Sequence, residues 1–215
     1  MINEVLIVIM EWIGTAAFAV SGALVAIGCG LDLFGVAIVG CVTAVGGGMM
    51  RDLLIGNVPP LVFGKPEILL CALITTLAVF ILSYINSKRF SGIRQKIEKI
   101  NILFDALGLA SFSVTGVVVA CEAGYESSAL LAITLGVITG VGGGILRDVL
   151  VNEKPYVLTK HIYAVASIVG SSIYYVMGIC FGLKVWGTFI SLGFTIFIRL
   201  LAAHFRWKLP KVPLE

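Results

Sequence analysis

The stretch GGGMMRD, residues 46–52, lies at the end of a long apolar run. The same pattern returns as GGGILRD at residues 142–148, an offset of 96 positions between 46 and 142. Three successive glycines weaken a helix by about 0.8–1 kcal/mol each relative to alanine, and an Arg-Asp pair is costly inside a bilayer. Because both features are unfavourable in an ordinary apolar helix, their repetition indicates a structural or functional role.

The duplication extends beyond the two glycine motifs. Upstream, FAVSG at 18–22 matches FSVTG at 112–116 with an offset of 94. The units therefore differ by two residues, which fall in the loop CEAGYESSA, 121–129, where an insertion is tolerated. Further matched pairs are Gly40 with Gly136, Thr43 with Thr139, Pro59 with Pro155, and Glu11 with Asp105.

Composition and block length predict an all-α integral membrane protein. Of the 215 residues, 59% are hydrophobic and only 13% are charged, whereas ordinary soluble chains have about a quarter charged residues. The apolar residues form continuous blocks of about 20, enough for a helix to cross a bilayer core, rather than the alternating pattern of a membrane barrel. Seven spans are predicted, at 5–28, 33–56, 68–86, 102–121, 128–151, 162–181 and 185–205.

The spans are predicted to form one transmembrane domain, 1–215, in which an inverted repeat is followed by a single helix. The first three-helix repeat covers 5–86, the second covers 102–181, and the seventh helix, 185–205, stands outside them. Because three is odd, the second repeat enters the membrane from the opposite face, as in many transport proteins. This arrangement favours permeation or transport over catalysis. No catalytic residues, metal ligands, enzyme activity or nucleic-acid partner are predicted.

The positive-inside rule gives the orientation in the inner (plasma) membrane. With the N-terminus outside and the C-terminus in the cytoplasm, only Lys65 and Lys184 lie in outer loops. The cytoplasmic side then carries ten basic residues: Lys88, Arg89, Arg94, Lys96, Lys99, Lys154, Lys160, Arg206, Lys208 and Lys211.

Two interpretations of the glycine runs remain open. Successive glycines expose backbone and favour a kink, which a bilayer tolerates only beside protein or a water-filled cavity. Two kinks related by the repeat would line one central path. Alternatively, small residues four apart let helices pack closely. The residues concerned are Gly46, Gly47 and Gly48 in helix two, and Gly142, Gly143 and Gly144 in helix five.

Charged residues inside the apolar blocks are predicted to form ion pairs. An ionisable group at membrane depth usually faces the protein interior and has a partner there. Such pairs either fix helix packing or take part in gating and ion passage, and both roles remain open. The predicted pairs are Glu11–Arg51 and Asp105–Arg147, with Asp52 and Asp148 as alternative partners.

Hydroxyl residues also stand at equivalent positions in the two units. Their symmetric placement beside the glycines makes them candidates to line a pore. Each can instead bond the carbonyl four residues earlier in its own helix. The candidates are Ser21, Thr43, Thr115 and Thr139.

The doubled GGGxxRD motif, the seven spans and the 3+3+1 repeat together resemble the trimeric intracellular cation (TRIC) channel family, in its prokaryotic branch. The resemblance covers the chain from Trp12 to about Phe205 and includes the Pro59–Pro60 pair. It implies a homotrimer with one pore in each subunit, kinked at the glycines of helices two and five. It also implies permeation of monovalent cations, potassium foremost, and bound membrane lipid. No cofactor is implied beyond the permeant K⁺ or Na⁺.

Two features limit what the resemblance implies. The Lys-Glu-Val motif of the animal members is absent from this sequence, so their voltage and calcium regulation is not expected here. Some bacterial relatives with the doubled motif are linked to glycine transport, which makes a small-solute carrier the alternative function. An unpaired arginine in the path would repel potassium, so a channel requires Arg51 and Arg147 to be paired or displaced.

Overall fold

The computed structural model describes residues 2–85, 94–159, 162–205 and 207. Within these residues, seven helices are long and apolar enough to cross a membrane, which confirms the predicted all-α membrane fold. In chain order they are α1 Ile2–Gly28, α2 Leu33–Leu54, α3 Pro66–Ile85, α4 Arg94–Ala120, α5 Ala129–Leu150, α6 Tyr163–Tyr174 and α7 Lys184–His204. The sixth reaches the length of a membrane span together with the π-helical turn that follows it, as Tyr163–Cys180.

Short helical segments complete each three-helix unit. A 3-10 helix, Leu61–Gly64, follows α2, and a one-turn helix, Tyr156–Thr159, follows α5 at the matching place. Single π-helical turns, Cys121–Tyr125 and Tyr175–Cys180, extend α4 and α6. The two units therefore share one plan, in which a compact loop segment follows each glycine-rich helix.

The start of α4 differs from the prediction. The helix begins at Arg94, whereas the span was predicted from 102. The intervening Arg, Gln, Lys and Glu residues are favourable helix formers, so the helix continues beyond its apolar part. Hydropathy therefore marks the apolar part of a helix, and the helix itself can extend beyond that part.

The four central helices come from both units. α1 packs against α4 and α2 packs against α5, while α3 covers the first unit and α6 covers the second. α7 packs mainly against α4 and α6 of the second unit and makes a smaller contact with α1. The inverted repeat is therefore followed by one helix that has no counterpart in the first unit.

The glycine runs lie where α2 and α5 cross. Helical structure continues through both runs, so the glycines do not break either helix. A Cβ at Gly47 would overlap the carbonyl oxygen of Thr139, and a Cβ at Gly143 would overlap that of Thr43. These two contacts are equivalent under the repeat and require glycine, because the two backbones touch. Close packing is thus one role of these glycines, and the kinked pore lining stays a prediction.

The same mirrored packing occurs within each unit. A Cβ at Gly22 of α1 would lie 2.6 Å from Thr43 Oγ1, and one at Gly116 of α4 would lie 2.6 Å from Thr139 Oγ1. The remaining glycines of the two runs face neighbours as well: Gly46 faces Leu146, Gly142 faces Gly47, Gly48 faces Arg51, and Gly144 faces Tyr163.

Replacing Gly47 or Gly143 by alanine is expected to lower the free energy of unfolding by about 1–3 kcal/mol, because the added methyl group overlaps a backbone carbonyl. The apparent melting temperature of the purified protein in detergent measures the loss. Gly193→Ala in α7 is the matched control, since a Cβ at Gly193 meets nothing within 4 Å. Equal melting temperatures for all three variants would contradict the close crossing of α2 and α5.

Candidate functional site

A cavity of about 290 Å³ lies at the end of the bundle where α1 begins and where α2 and α4 end. We call this the N-terminal end and the other the opposite end. Four carboxylates and two cationic groups line the cavity, which gives it a net negative lining. These charged residues are Glu4, Glu11, Arg51, Asp52, Lys65 and Glu122.

The charges of the cavity do not pair as predicted. Lys65 Nζ donates to Glu11 Oε2 at 2.8 Å, and Arg51 Nη2 donates to Asp52 Oδ1 at 2.7 Å. Asp52 Oδ2 also accepts the backbone N–H of Leu61 at 2.9 Å, which fixes the segment that carries Lys65. The predicted Glu11–Arg51 pair is therefore not formed. Asp52 engages Arg51 from the same helix, and the loop brings Lys65 to Glu11.

The equivalent charges of the second unit form a closed and buried arrangement. Arg147 Nη1 donates to Asp105 Oδ1 at 2.8 Å, and Arg147 Nε donates to Asp148 Oδ1 at 2.8 Å. Arg147 Nη1 also donates to Ser21 Oγ at 2.6 Å, and the Ser21 hydroxyl donates to Asn101 Oδ1 at 2.8 Å. The side chains of Arg147 and Asp105 are 0% exposed. Both the predicted partner and the alternative partner thus hold Arg147.

The unmatched helix α7 adds a fourth charge to this arrangement. Arg199 Nη2 lies 3.7 Å from Asp105 Oδ2, and the Arg199 guanidinium lies 5.0 Å from the centroid of the Tyr163 ring. Tyr163 also donates to Asp105 Oδ1 at 3.3 Å. We call the set that holds these charges the buried charge network; its members are Arg147, Arg199, Asp105, Asp148, Ser21, Asn101 and Tyr163.

The buried charge network is neutral, because its two arginines are matched by two aspartates. Arg199 was not among the predicted site residues. The sequence nevertheless indicated it, because Arg199 is a charged residue within the predicted span 185–205. Arg51 and Arg147 were selected on the same ground, that an ionisable residue inside a span usually has a partner in the protein interior. The partners Lys65, Asn101 and Tyr163 had no such signal.

The aspartate of each GGGxxRD motif holds the loop that follows its helix. Asp148 Oδ2 accepts the backbone N–H of Tyr156 at 2.8 Å, as Asp52 accepts that of Leu61. The Arg147 guanidinium lies 5.1 Å from the centroid of the Tyr156 ring. Burial raises the pKa of the Tyr156 hydroxyl, so the ring stays neutral beside that cation. The Arg-Asp pair therefore connects each helix end to its loop.

Phe18 and Phe112 separate the cavity from the buried charge network. They are equivalent under the repeat, and their ring centroids are 5.3 Å apart. Phe112 lines the cavity, and Phe18 lies along α1 between Thr15 of the cavity and Ser21 of the network. Phe112 therefore forms part of the cavity wall, and the fully buried Phe18 packs against it. Sequence comparison matched the two phenylalanines but assigned them no role.

All four hydroxyl residues predicted to line a pore are buried. Thr43 and Thr139 each donate to the carbonyl four residues earlier at 2.6 Å. Thr115 lines the cavity, whereas Ser21 belongs to the buried charge network. Thr115 donates to the carbonyl of Phe112, three residues earlier, at 3.4 Å. Three of the four hydroxyls therefore bond the backbone of their own helix, and the pore-lining role stays a prediction for all of them.

Comparison with known proteins gives concordant matches across the chain. The family model described as glycine transporter matches residues 8–84 and again 102–178, the two three-helix units. The UPF0126 inner membrane protein YadS from Escherichia coli (strain K12) is 37% identical, with 96% of each chain covered.

Solved structures match the fold as well as the sequence. The structure of a prokaryotic TRIC channel in 0.5 M KCl has a TM-score of 0.85 and 32% identity, and covers 96% of this chain and 100% of that chain. The TRIC trimeric intracellular cation channel orthologue from Rhodobacter sphaeroides has a TM-score of 0.82 and 30% identity. That comparison covers 94% of this chain and 99% of the orthologue.

Asp105→Asn is expected to lower the free energy of unfolding by about 3–5 kcal/mol, because it leaves two buried arginines with one carboxylate. The matched control is Lys65→Gln, which breaks a pair whose lysine side chain is 45% exposed; such pairs contribute about 0–1 kcal/mol. Thermal unfolding in one detergent, followed by size-exclusion chromatography with fluorescence detection, compares the two variants. A smaller loss for Asp105→Asn than for Lys65→Gln would contradict the buried charge network.

Proposed function

Because the chain belongs to the prokaryotic TRIC channel family and to the glycine transporter family, we propose that it is a channel for monovalent cations, potassium foremost. It is a multi-pass inner membrane protein, since seven helices are long and apolar enough to cross a membrane and the Escherichia coli relative is described as an inner membrane protein. Identities of 30–32% over nearly the whole chain support a common fold with relatives described as cation channels.

The observation that carries the proposal is the net negative cavity. Carboxylates in a cleft with low-dielectric walls raise the local concentration of cations. The two cationic groups that would oppose this effect, Arg51 and Lys65, each have a carboxylate partner. The lining also includes the carboxylates of Glu4 and Glu122, which are exposed at the N-terminal end.

The proposed path runs through each subunit from the cavity, past Phe18 and Phe112, to the buried charge network and the opposite end. In the present conformation the phenylalanines and the network close it. Opening is proposed to bend α2 and α5 at their glycine runs, 46–48 and 142–144. Such a bend moves Thr43 and Thr139 toward the path, where their hydroxyls and carbonyls replace water around a dehydrated cation.

The proposed assembly is a homotrimer in the membrane, as the Rhodobacter sphaeroides orthologue is described, with membrane lipid around its apolar exterior. The N-terminal end is proposed to face the outside, so that cations enter the cavity there. This orientation depends partly on basic residues outside the described residues: Lys88, Arg89, Lys160, Arg206, Lys208 and Lys211.

A glycine carrier is the second candidate function, and the family model favours it. A carrier holds its solute in a cavity that is open at one end while the other end is closed. The cavity here is open at the N-terminal end, and the cation Arg51 and the anion Glu11 both line it. These charges match the carboxylate and ammonium groups of a zwitterion.

Planar-bilayer recording in asymmetric KCl tests the channel. Discrete current steps with a cation-selective reversal potential are expected. Glu4→Gln/Glu122→Gln should lower the conductance at low salt, and the difference should disappear at high salt because ions screen surface charge. Glu126→Gln is the matched control, since Glu126 is exposed near Glu122 but does not line the cavity.

Anion-selective steps, or equal effects of the double variant and Glu126→Gln, would contradict the proposed entry of cations through the cavity. Bilayers that stay silent with folded, inserted protein would overturn the channel. Radiolabelled glycine uptake by proteoliposomes containing the same protein would then support the carrier.

A further inference from the structure

The repeat supplies two copies of one charge pair, and the structure holds them in different states. Asp105 and Arg147 are in contact at 2.8 Å and are 0% exposed. Their repeat equivalents, Glu11 and Arg51, are not in contact, and each has another partner. The formed pair is fully buried, whereas the separated pair lines the cavity.

Glu11 and Arg51 are placed to form the missing contact. Both line the same cavity, one from α1 and one from α2. Glutamate is one methylene longer than aspartate, so its reach exceeds that of Asp105 in the formed pair. The Asp148 equivalent, Asp52, already bonds Arg51, as Asp148 bonds Arg147. The first unit therefore keeps the bond between the neighbouring Arg and Asp but lacks the bond from the arginine to the acid of the preceding helix.

Lys65 holds Glu11 away from that contact. Its Nζ binds both carboxylate oxygens of Glu11, at 3.2 and 2.8 Å. The Lys65 side chain is 45% exposed and that of Glu11 is 30% exposed, so this pair is weakened by solvent and is easily exchanged. If Glu11 exchanged Lys65 for Arg51 as its partner, the lysine would be released to water.

We propose that Glu11 and Arg51 form a gate at the N-terminal end: a direct ion pair between them closes the cavity, as Asp105–Arg147 closes the opposite half, and Lys65 keeps the gate open by binding Glu11. The inference rests on the proposed function in assuming that the cavity is the entrance of a path. The closure itself is a change in access to the cavity and needs no ion flux to be observed.

Access is measured with a cysteine reporter in the cavity. Val119→Cys places a thiol on the α4 wall, and Met49→Cys places one on the α2 wall. A charged, membrane-impermeant maleimide is applied to the full-length protein in lipid nanodiscs, where both ends are accessible. Mass spectrometry follows labelling at the introduced position separately from labelling at the native cysteines, so the native cysteines need not be replaced. Lys184→Cys is the control reporter, since Lys184 is exposed and lies outside the cavity.

Lys65→Gln is expected to slow labelling at positions 119 and 49 by about fivefold, the population change that one partly exposed ion pair supports. Labelling at position 184 should not change. Adding Glu11→Gln to Lys65→Gln should restore the original rate, because a neutral side chain cannot close the gate. If one cysteine substitution itself disturbs the fold, the two reporters will give different results, and the undisturbed reporter is used to judge the gate.

Unchanged or faster labelling in Lys65→Gln would overturn the gate, as would a double variant that labels as slowly as Lys65→Gln. These results are separate from the test of function. Cation currents together with unchanged labelling would reject the gate and keep the channel, whereas slowed and restored labelling in a protein that conducts nothing would keep the gate and reject the channel.

Discussion

The fold depends on the contact between two helix backbones at the centre of the molecule. Gly47 and Gly143 let α2 and α5 approach until each helix meets a threonine carbonyl of the other. A side chain at either position would separate the helices and remove both contacts together. The remaining central packing follows from this crossing, since α1 and α4 lie on the same helices through Gly22 and Gly116.

Around this symmetric centre the charges are arranged asymmetrically. At the N-terminal end, Glu11 and Lys65 form a partly exposed pair beside a cavity. In the other half, the acid equivalent to Glu11 lies fully buried between two arginines. The difference does not come from the motifs, which are the same, but from the residues around them. Glu11 binds Lys65 from the loop after α2, whereas its equivalent, Asp105, lies beside Arg199 from α7.

The sequence predicted the helix number, the repeat and the Asp105–Arg147 pair, because apolar block length and internal similarity report directly on spans and equivalent positions. It could not predict that Glu11 binds Lys65, since the choice between Arg51 and Lys65 depends on where the loop after α2 folds. Asp52 fixes that loop through the Leu61 N–H, a contact without a sequence pattern. The glycines were predicted as kinks or packing sites; the close approach of the helices shows the packing role, and the kinks stay a prediction.

The neutrality of the buried charge network has a consequence for electrical sensitivity. A membrane potential does work only on net charge that moves through the field, about 2.3 kcal/mol per elementary charge for 100 mV. Two arginines and two aspartates that move together displace no net charge. Movement of the buried charge network as one unit is therefore nearly independent of voltage. The field acts instead on a single charge that leaves its partner and moves alone.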